Sequence, residues 1–152
     1  EKIPCIKILN YAVTNKTGEI VNLSDQDHGS SIYSNLDKGL EAAVKTITLA
    51  DLVGDRPETD MVLKMDIEGS EYDVLMNVDR NLIKKFKTIY IEIHGNLHPT
   101  YRGPDILEHR LMYLGFTRLH MLDACIIYTN NNGSKTYVPS GYRTCKYTRE
   151  GI

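Results

Sequence analysis

The sequence contains no tryptophan, two phenylalanines and three cysteines among 152 residues, and its apolar runs are short. Each shortage excludes something. No run approaches the roughly 18 apolar residues of a membrane-spanning helix, and nothing at the front resembles a signal peptide. Cys5, Cys125 and Cys145 are odd in number and widely spaced. That argues against a disulfide framework or a CxxC zinc site and suits reduced thiols in the cytoplasm. Charge of neither sign is in excess: the net charge of −2 leaves no footprint for nucleic acid or an anionic membrane. The remaining composition is that of an ordinary globular chain, and residues 1–152 are read as one domain large enough for a proper core. The chain begins with Glu1 and enters almost at once into Ile6-Lys-Ile-Leu9, which reads as a strand interior. The expectation is a piece of a longer polypeptide whose upstream segment precedes Glu1.

The informative stretch is Met61-Val-Leu-Lys-Met-Asp-Ile-Glu-Gly-Ser-Glu71. Its apolar residues are nearly consecutive, the pattern of a strand covered on both faces in a parallel sheet. Asp66 and Glu68 are two apart, so an extended chain sends both carboxylates to one side. Gly69 permits a tight exit and Ser70 is placed to cap a helix. Ligands of open α/β sheets sit beyond the carboxyl ends of the strands, so two acids at such an end mark a site.

Around this stretch the pattern predicts an alternating fold. Residues 5–13 and 19–23 read as a hairpin about the turn Asn15–Gly18, residues 43–48 as a strand, and 49–53 as one helical turn capped by Thr48. Residues 24–38 are a polar loop. Val74, Val78, Leu82 and Phe86 recur every four residues and predict one helix, with Glu71 and Asp73 in its first turn and Lys84 and Lys85 in its last. Thr88–His94 is a second strand ending at Glu92 and His94. Pro104 opens a helix with Leu107, Leu111 and Leu114 on its buried stripe, and Gly115 ends it. Residues 116–122 and 124–129 read as an antiparallel pair, and 130–152 as a polar tail. Strand, helix, strand, helix and reversed pair imply parallel crossovers closed by a hairpin.

Leu63-Lys-Met-Asp-Ile-Glu-Gly-Ser-Glu71 closely resembles the hallmark of the FkbM family of S-adenosylmethionine-dependent methyltransferases. Weaker matches follow in the family's order: Asn10-Tyr-Ala-Val13 with Gly18, Ser30-Ser31, Ile47–Leu52, Ile91-Glu-Ile-His94 and Leu114-Gly-Phe116. The resemblance covers roughly residues 8–128. It implies an α/β, Rossmann-like class I methyltransferase sheet, mostly parallel with a closing antiparallel hairpin and with its N-terminal part missing. The implied cofactor is S-adenosylmethionine, with Asn10, Ala12, Ser31 and Asp66 beside it. The implied acceptor is a hydroxyl of a small molecule, sugar or polysaccharide. Such enzymes open on a glycine-rich G-x-G turn, which this chain lacks. By resemblance that turn belongs to the upstream segment, and these residues alone are expected to be inactive.

Transfer of a methyl group from a sulfonium to a hydroxyl requires alignment, which can contribute about 7–11 kcal/mol, and removal of the hydroxyl proton. Asp66 is assigned to orienting cofactor or substrate, His94 to general base with Glu68 as the alternative, and Glu68 and Glu92 to the substrate. The competing readings are plain. Glu71 is explained by the helix N-terminus, Glu92 has Lys64 as a possible buried partner, and His28, His98, His109 and His120 are surface or packing residues. Glu92, His94 and His98 with Asp66 offer mixed N and O donors for a cation, but without dense ligand spacing, and no metal is assigned. Asp66-Ile-Glu68 also fits a DxD-like motif of a metal-dependent glycosyltransferase, and a non-catalytic module is the third reading.

Overall fold

Ile89, Ile91 and Ile93 alternate along one strand and are all buried, which makes that strand the spine of the larger sheet. A computed structural model describes residues 6–24, 30–33, 42–57, 61–95, 97–129 and 135–148, with side chains as far as residue 118. In chain order the elements are β1 (Ala12–Thr14), β2 (Ile20–Leu23), β3 (Ala42–Thr48), α1 (Leu49–Val53), β4 (Met61–Met65), α2 (Glu71–Asn77), α3 (Arg80–Ile83), β5 (Phe86–His94), α4 (Asp105–Tyr113), β6 (Thr117–Thr129) and β7 (Lys135–Thr148).

The fold is mixed α/β, but not one mostly parallel sheet. The described strands form two sheets, of order β1-β3-β2 and β4-β5-β7-β6. β1 pairs parallel with β3 and β4 with β5, whereas β2 with β3, β5 with β7 and β6 with β7 are antiparallel. The predicted hairpin of the first two strands is likewise corrected, because β3 lies between them and takes the backbone bonds of both. Residues 6–11 form no strand and are exposed, since no described strand lies beside them to accept their backbone groups. Thr48 caps α1 as predicted, its side chain accepting from the Asp51 N–H.

Further departures have local causes. The single helix expected over 71–86 breaks at Val78, which is extended. Asp79 then caps a new turn by accepting from the Asn81 and Leu82 N–H groups, and Phe86 already belongs to β5. The break expected at residue 123 is a register shift inside the continuous β6, between Asp123 and Cys125. The partner of β6 comes from the polar tail, where Pro139 and Gly141 disguise a run of strand-forming Thr, Tyr and Val. The irregular pairing between Pro139 and Arg143 is where a proline and a glycine are tolerated in a ladder. Finally, β4 lies at the edge of the larger sheet among the described strands, with Val62 62% exposed, so it is not covered on both faces as predicted.

The apolar core joins the larger sheet to its helices: Met65 and the β5 isoleucines meet Tyr72 and Leu75 of α2 and Leu107 and Leu111 of α4. Burying one such side chain fully is worth about 1.5–3 kcal/mol. Gly115, at φ 93°, ends the last helical turn after the buried Leu114. No helix among the described residues is long and apolar enough to cross a membrane. In denaturant melts, Leu111→Ala should destabilise by about 2–5 kcal/mol, while Val62→Ala should cost under about 1 kcal/mol. A comparable loss at both positions would mean that both faces of β4 are packed.

Candidate active site

Parallel pairing decides which groups meet. Met65 stands beside Ile91, so the residues that follow β4 continue alongside Glu92 and His94 at the end of β5. Glu92 and His94 are two apart and leave β5 on the face opposite the three isoleucines. After Met65 the chain does not stay extended. Glu68 and Gly69 both take positive φ, 51° and 104°, and turn the chain into α2. A Cβ on Gly69 would lie 3.1 Å from the Leu97 Cβ and 3.2 Å from the Tyr33 ring, so backbone conformation and close approach both require glycine there.

The turn is held by a buried acid. Glu71 has no solvent exposure. Its Oε1 accepts from the Ile67 N–H and its Oε2 from the Gly69 N–H, both at 2.9 Å. Ser70 occupies the cap position of α2 without a side-chain cap bond, so the capping expected of it is not made; Glu71 instead closes the turn that precedes the helix. Glu71 Oε1 also lies 2.9 Å from His94 Nδ1. A carboxylate that already accepts two backbone N–H groups requires the ring nitrogen to donate, which directs Nε2 of a neutral ring toward the other acids as an acceptor. Glu68 Oε2 is 3.4 Å from that nitrogen, Glu92 Oε1 3.9 Å and Asp66 Oδ1 4.0 Å. The other Asp66 oxygen binds Lys64 Nζ at 2.9 Å, so Lys64 pairs with Asp66 and not with Glu92.

Electrostatics follow from this crowding. Burial by itself would lower the His94 pKa, but the hydrogen bond and charge of Glu71 and the charges of Glu68 and Glu92 outweigh it and raise it above 6.5. Glu68 is raised above the ordinary carboxyl value by burial, opposed by His94 and reinforced by Asp66, Glu71 and Glu92. Among the described residues, one donor atom each from Asp66, Glu68 and His94 falls within 4.8 Å of the other two. One divalent cation fits such a set of N and O donors, and so does a shared proton. The set imagined with His98 does not assemble, because His98 lies against Asp73 instead.

A cleft of about 330 Å³ opens beside the turn, walled by residues that include Tyr11, Ala12, Val13, Ser30, Ile32, Asp66 and Glu68. Of the residues assigned from sequence, Ala12, Asp66 and Glu68 therefore face one cavity. Asn10 is exposed next to that wall. Ser31 is buried, and its hydroxyl donates to the Glu68 carbonyl at 2.6 Å while accepting from the Tyr33 N–H, which pins the acidic turn. His94, its side chain 3% exposed, stands behind Glu68. Glu92 is the most open of the four groups around the ring.

Sequence reasoning missed Glu71, which its place at a helix start explained too readily. The i, i+3 relation to Glu68 carried no signal of a bond to residue 94. His98 is the packing residue expected: its Nδ1 accepts from the Thr100 and Tyr101 N–H groups, and its ring lies against Tyr33, Tyr72 and Tyr101. Tyr33 also donates its hydroxyl to Asp73, which ties the Ser31 loop to α2.

No individually characterised protein compared with the chain matches it. Residues 2–119 match the family described as the Methyltransferase FkbM domain, a span that contains the acidic turn, the cleft wall and His94. With most of its length inside that match, the chain belongs to the FkbM methyltransferase domain family.

Proposed function

We propose that this methyltransferase-type chain carries out S-adenosylmethionine-dependent O-methylation of a hydroxyl on a sugar, polysaccharide or related metabolite, on a Rossmann-like class I scaffold. The observation that carries the reading is the stack Glu68–His94–Glu71, which runs from the cleft wall into the buried interior. A hydroxyl is a poor nucleophile until its proton leaves, and the stack is built to receive one.

The cleft suits the reactive part of the cofactor. Val13, Ile32 and Ile67 offer apolar walls, and Asp66 and Glu68 place negative charge where a sulfonium needs it. Bound there, the cofactor supplies an electrophilic methyl group. Ala12 and Ser30 shape the wall, Asn10 flanks it, and Ser31 fixes the turn from beneath. Asp66 orients cofactor or acceptor, and Glu92 guides the acceptor from the open side. The acceptor proton passes to the Glu68 carboxylate and on to His94 Nε2, the stronger base. His94 thus serves as the general base through Glu68, and as Glu68 lines the cleft, the two act as one unit.

This reading predicts, in the full-length protein supplied with S-adenosylmethionine and a panel of hydroxylated acceptors, that Glu68→Gln and His94→Ala each lower kcat by about 10²–10⁴-fold. Wild-type kcat in both variants would refute the proton path. Binding of S-adenosylhomocysteine should persist in His94→Ala, as measured by titration calorimetry. Chelation with EDTA should leave turnover unchanged; activity lost to EDTA and restored by a divalent cation would make the three donors ligands instead.

The pH dependence has a definite sign. His94 must be neutral to accept a proton, so kcat/KM should rise with pH and level off only above the raised imidazole value, beyond 6.5. Stability runs the other way. A raised folded pKa makes the contribution of protonated His94 complete below the ordinary 6.5, and it is lost as pH climbs through the folded value. The stability gap between wild type and His94→Gln in urea melts should therefore be wider at acid pH than in alkaline buffer. An unchanged gap would contradict the shift.

A further inference from the structure

The geometry points to Glu71 as the positioning residue of this site: one buried carboxylate sets both the tautomer of His94 and the turn that carries Glu68. The inference rests on the O-methylation reading for its consequence in catalysis, but not for its geometry.

Two independent contacts support it. On the backbone side, Glu71 takes the Ile67 and Gly69 N–H groups, which flank Glu68 on either side. The carboxylate thereby closes the turn around the residue whose side chain reaches the cleft. On the side-chain side, it lies 2.9 Å from His94 Nδ1 and is itself wholly buried. Imidazole in water prefers the proton on Nε2. Here the Nδ1 proton has an anionic acceptor, and Nε2 faces carboxylates that reward a proton only when one arrives from the acceptor. Among the residues whose side chains are described, the charged groups around the ring are Asp66 and Glu68 from the turn, Glu71 from α2 and Glu92 from β5 itself. Glu71 is the only one of these four with no exposure, so solvent screens it least. A plain helix-terminal acid would need neither the burial nor the histidine.

The first test is the tautomer of His94 in the wild-type, full-length protein, read from ¹⁵N chemical shifts of labelled histidine above the imidazole titration. The expected result is a protonated Nδ1 and an unprotonated Nε2. The opposite tautomer overturns the inference. The second is Glu71→Gln, which keeps one acceptor oxygen but turns an amide toward the Gly69 N–H. It should lower kcat by about 10²–10⁴-fold and shift the rising limb of kcat/KM to lower pH, because His94 loses an anionic neighbour. A Glu71→Gln protein that is less stable but keeps the wild-type pH profile would reduce Glu71 to a structural brace and overturn the inference. Should that variant fail to fold, the wild-type tautomer still decides. Since the tautomer is measured without cofactor or acceptor, its failure removes the role of Glu71 alone. A protonated Nδ1 in a protein that methylates no hydroxyl would instead sink the O-methylation reading.

Discussion

The site depends on a backbone problem and its solution. Glu68 sits at φ 51°, a region that costs an L-residue with a side chain about 1–2 kcal/mol. Left alone, such a turn would relax. Hydrogen bonds from backbone N–H groups to a charged acceptor contribute about 1.5–3 kcal/mol each, and Glu71 accepts two of them across this turn. The balance favours the strained geometry by a margin that Ser31 widens, by donating to the Glu68 carbonyl. Strain, acid and serine are therefore one device, and its product is a carboxylate held at the cleft wall.

The larger sheet supplies the second half of the device without strain. Parallel pairing of β4 with β5 brings the end of one strand level with the end of the other, and the period of two puts Glu92 and His94 on the same face. The isoleucines on the opposite face are buried against the helices, which fixes the register because a one-residue slip would expose them. Packing on one face thus positions chemistry on the other, and the link between core and site is the pleat itself.

Much of this was legible in the sequence because the signals were local. The strand at 61–65, the strand ending at His94, the Thr48 cap and the Leu107, Leu111, Leu114 stripe all follow from spacing or cap chemistry within a few residues. Non-local facts were not legible. Nothing near residues 12–23 announces that β3 will pass between two strands that look like a hairpin. Likewise, Pro139 and Gly141 hide the strand that pairs with both β5 and β6. The helix over 71–86 failed for a subtler reason: its four-residue period holds across the Val78 kink, and only Asp79 acting as a cap reveals the break. At the site, the Asp66 and Glu68 pair could be seen as a pair. The bond between Glu71 and His94 joins residues 23 apart and has no sequence signature.

The buried pair of Glu71 and His94 is poorly explained as a source of stability. Taking both groups out of water costs several kcal/mol, and an apolar pair of similar volume commonly does as well. The two partners are not equivalent, however. An apolar residue at 71 would strand the N–H groups of Ile67 and Gly69 in a buried turn, whereas one at 94 would leave the turn closed and remove only the ring. The fold accordingly needs the acid more than it needs the histidine. The requirement for His94 must then come from what its far nitrogen faces, the carboxylate at the wall of the cleft.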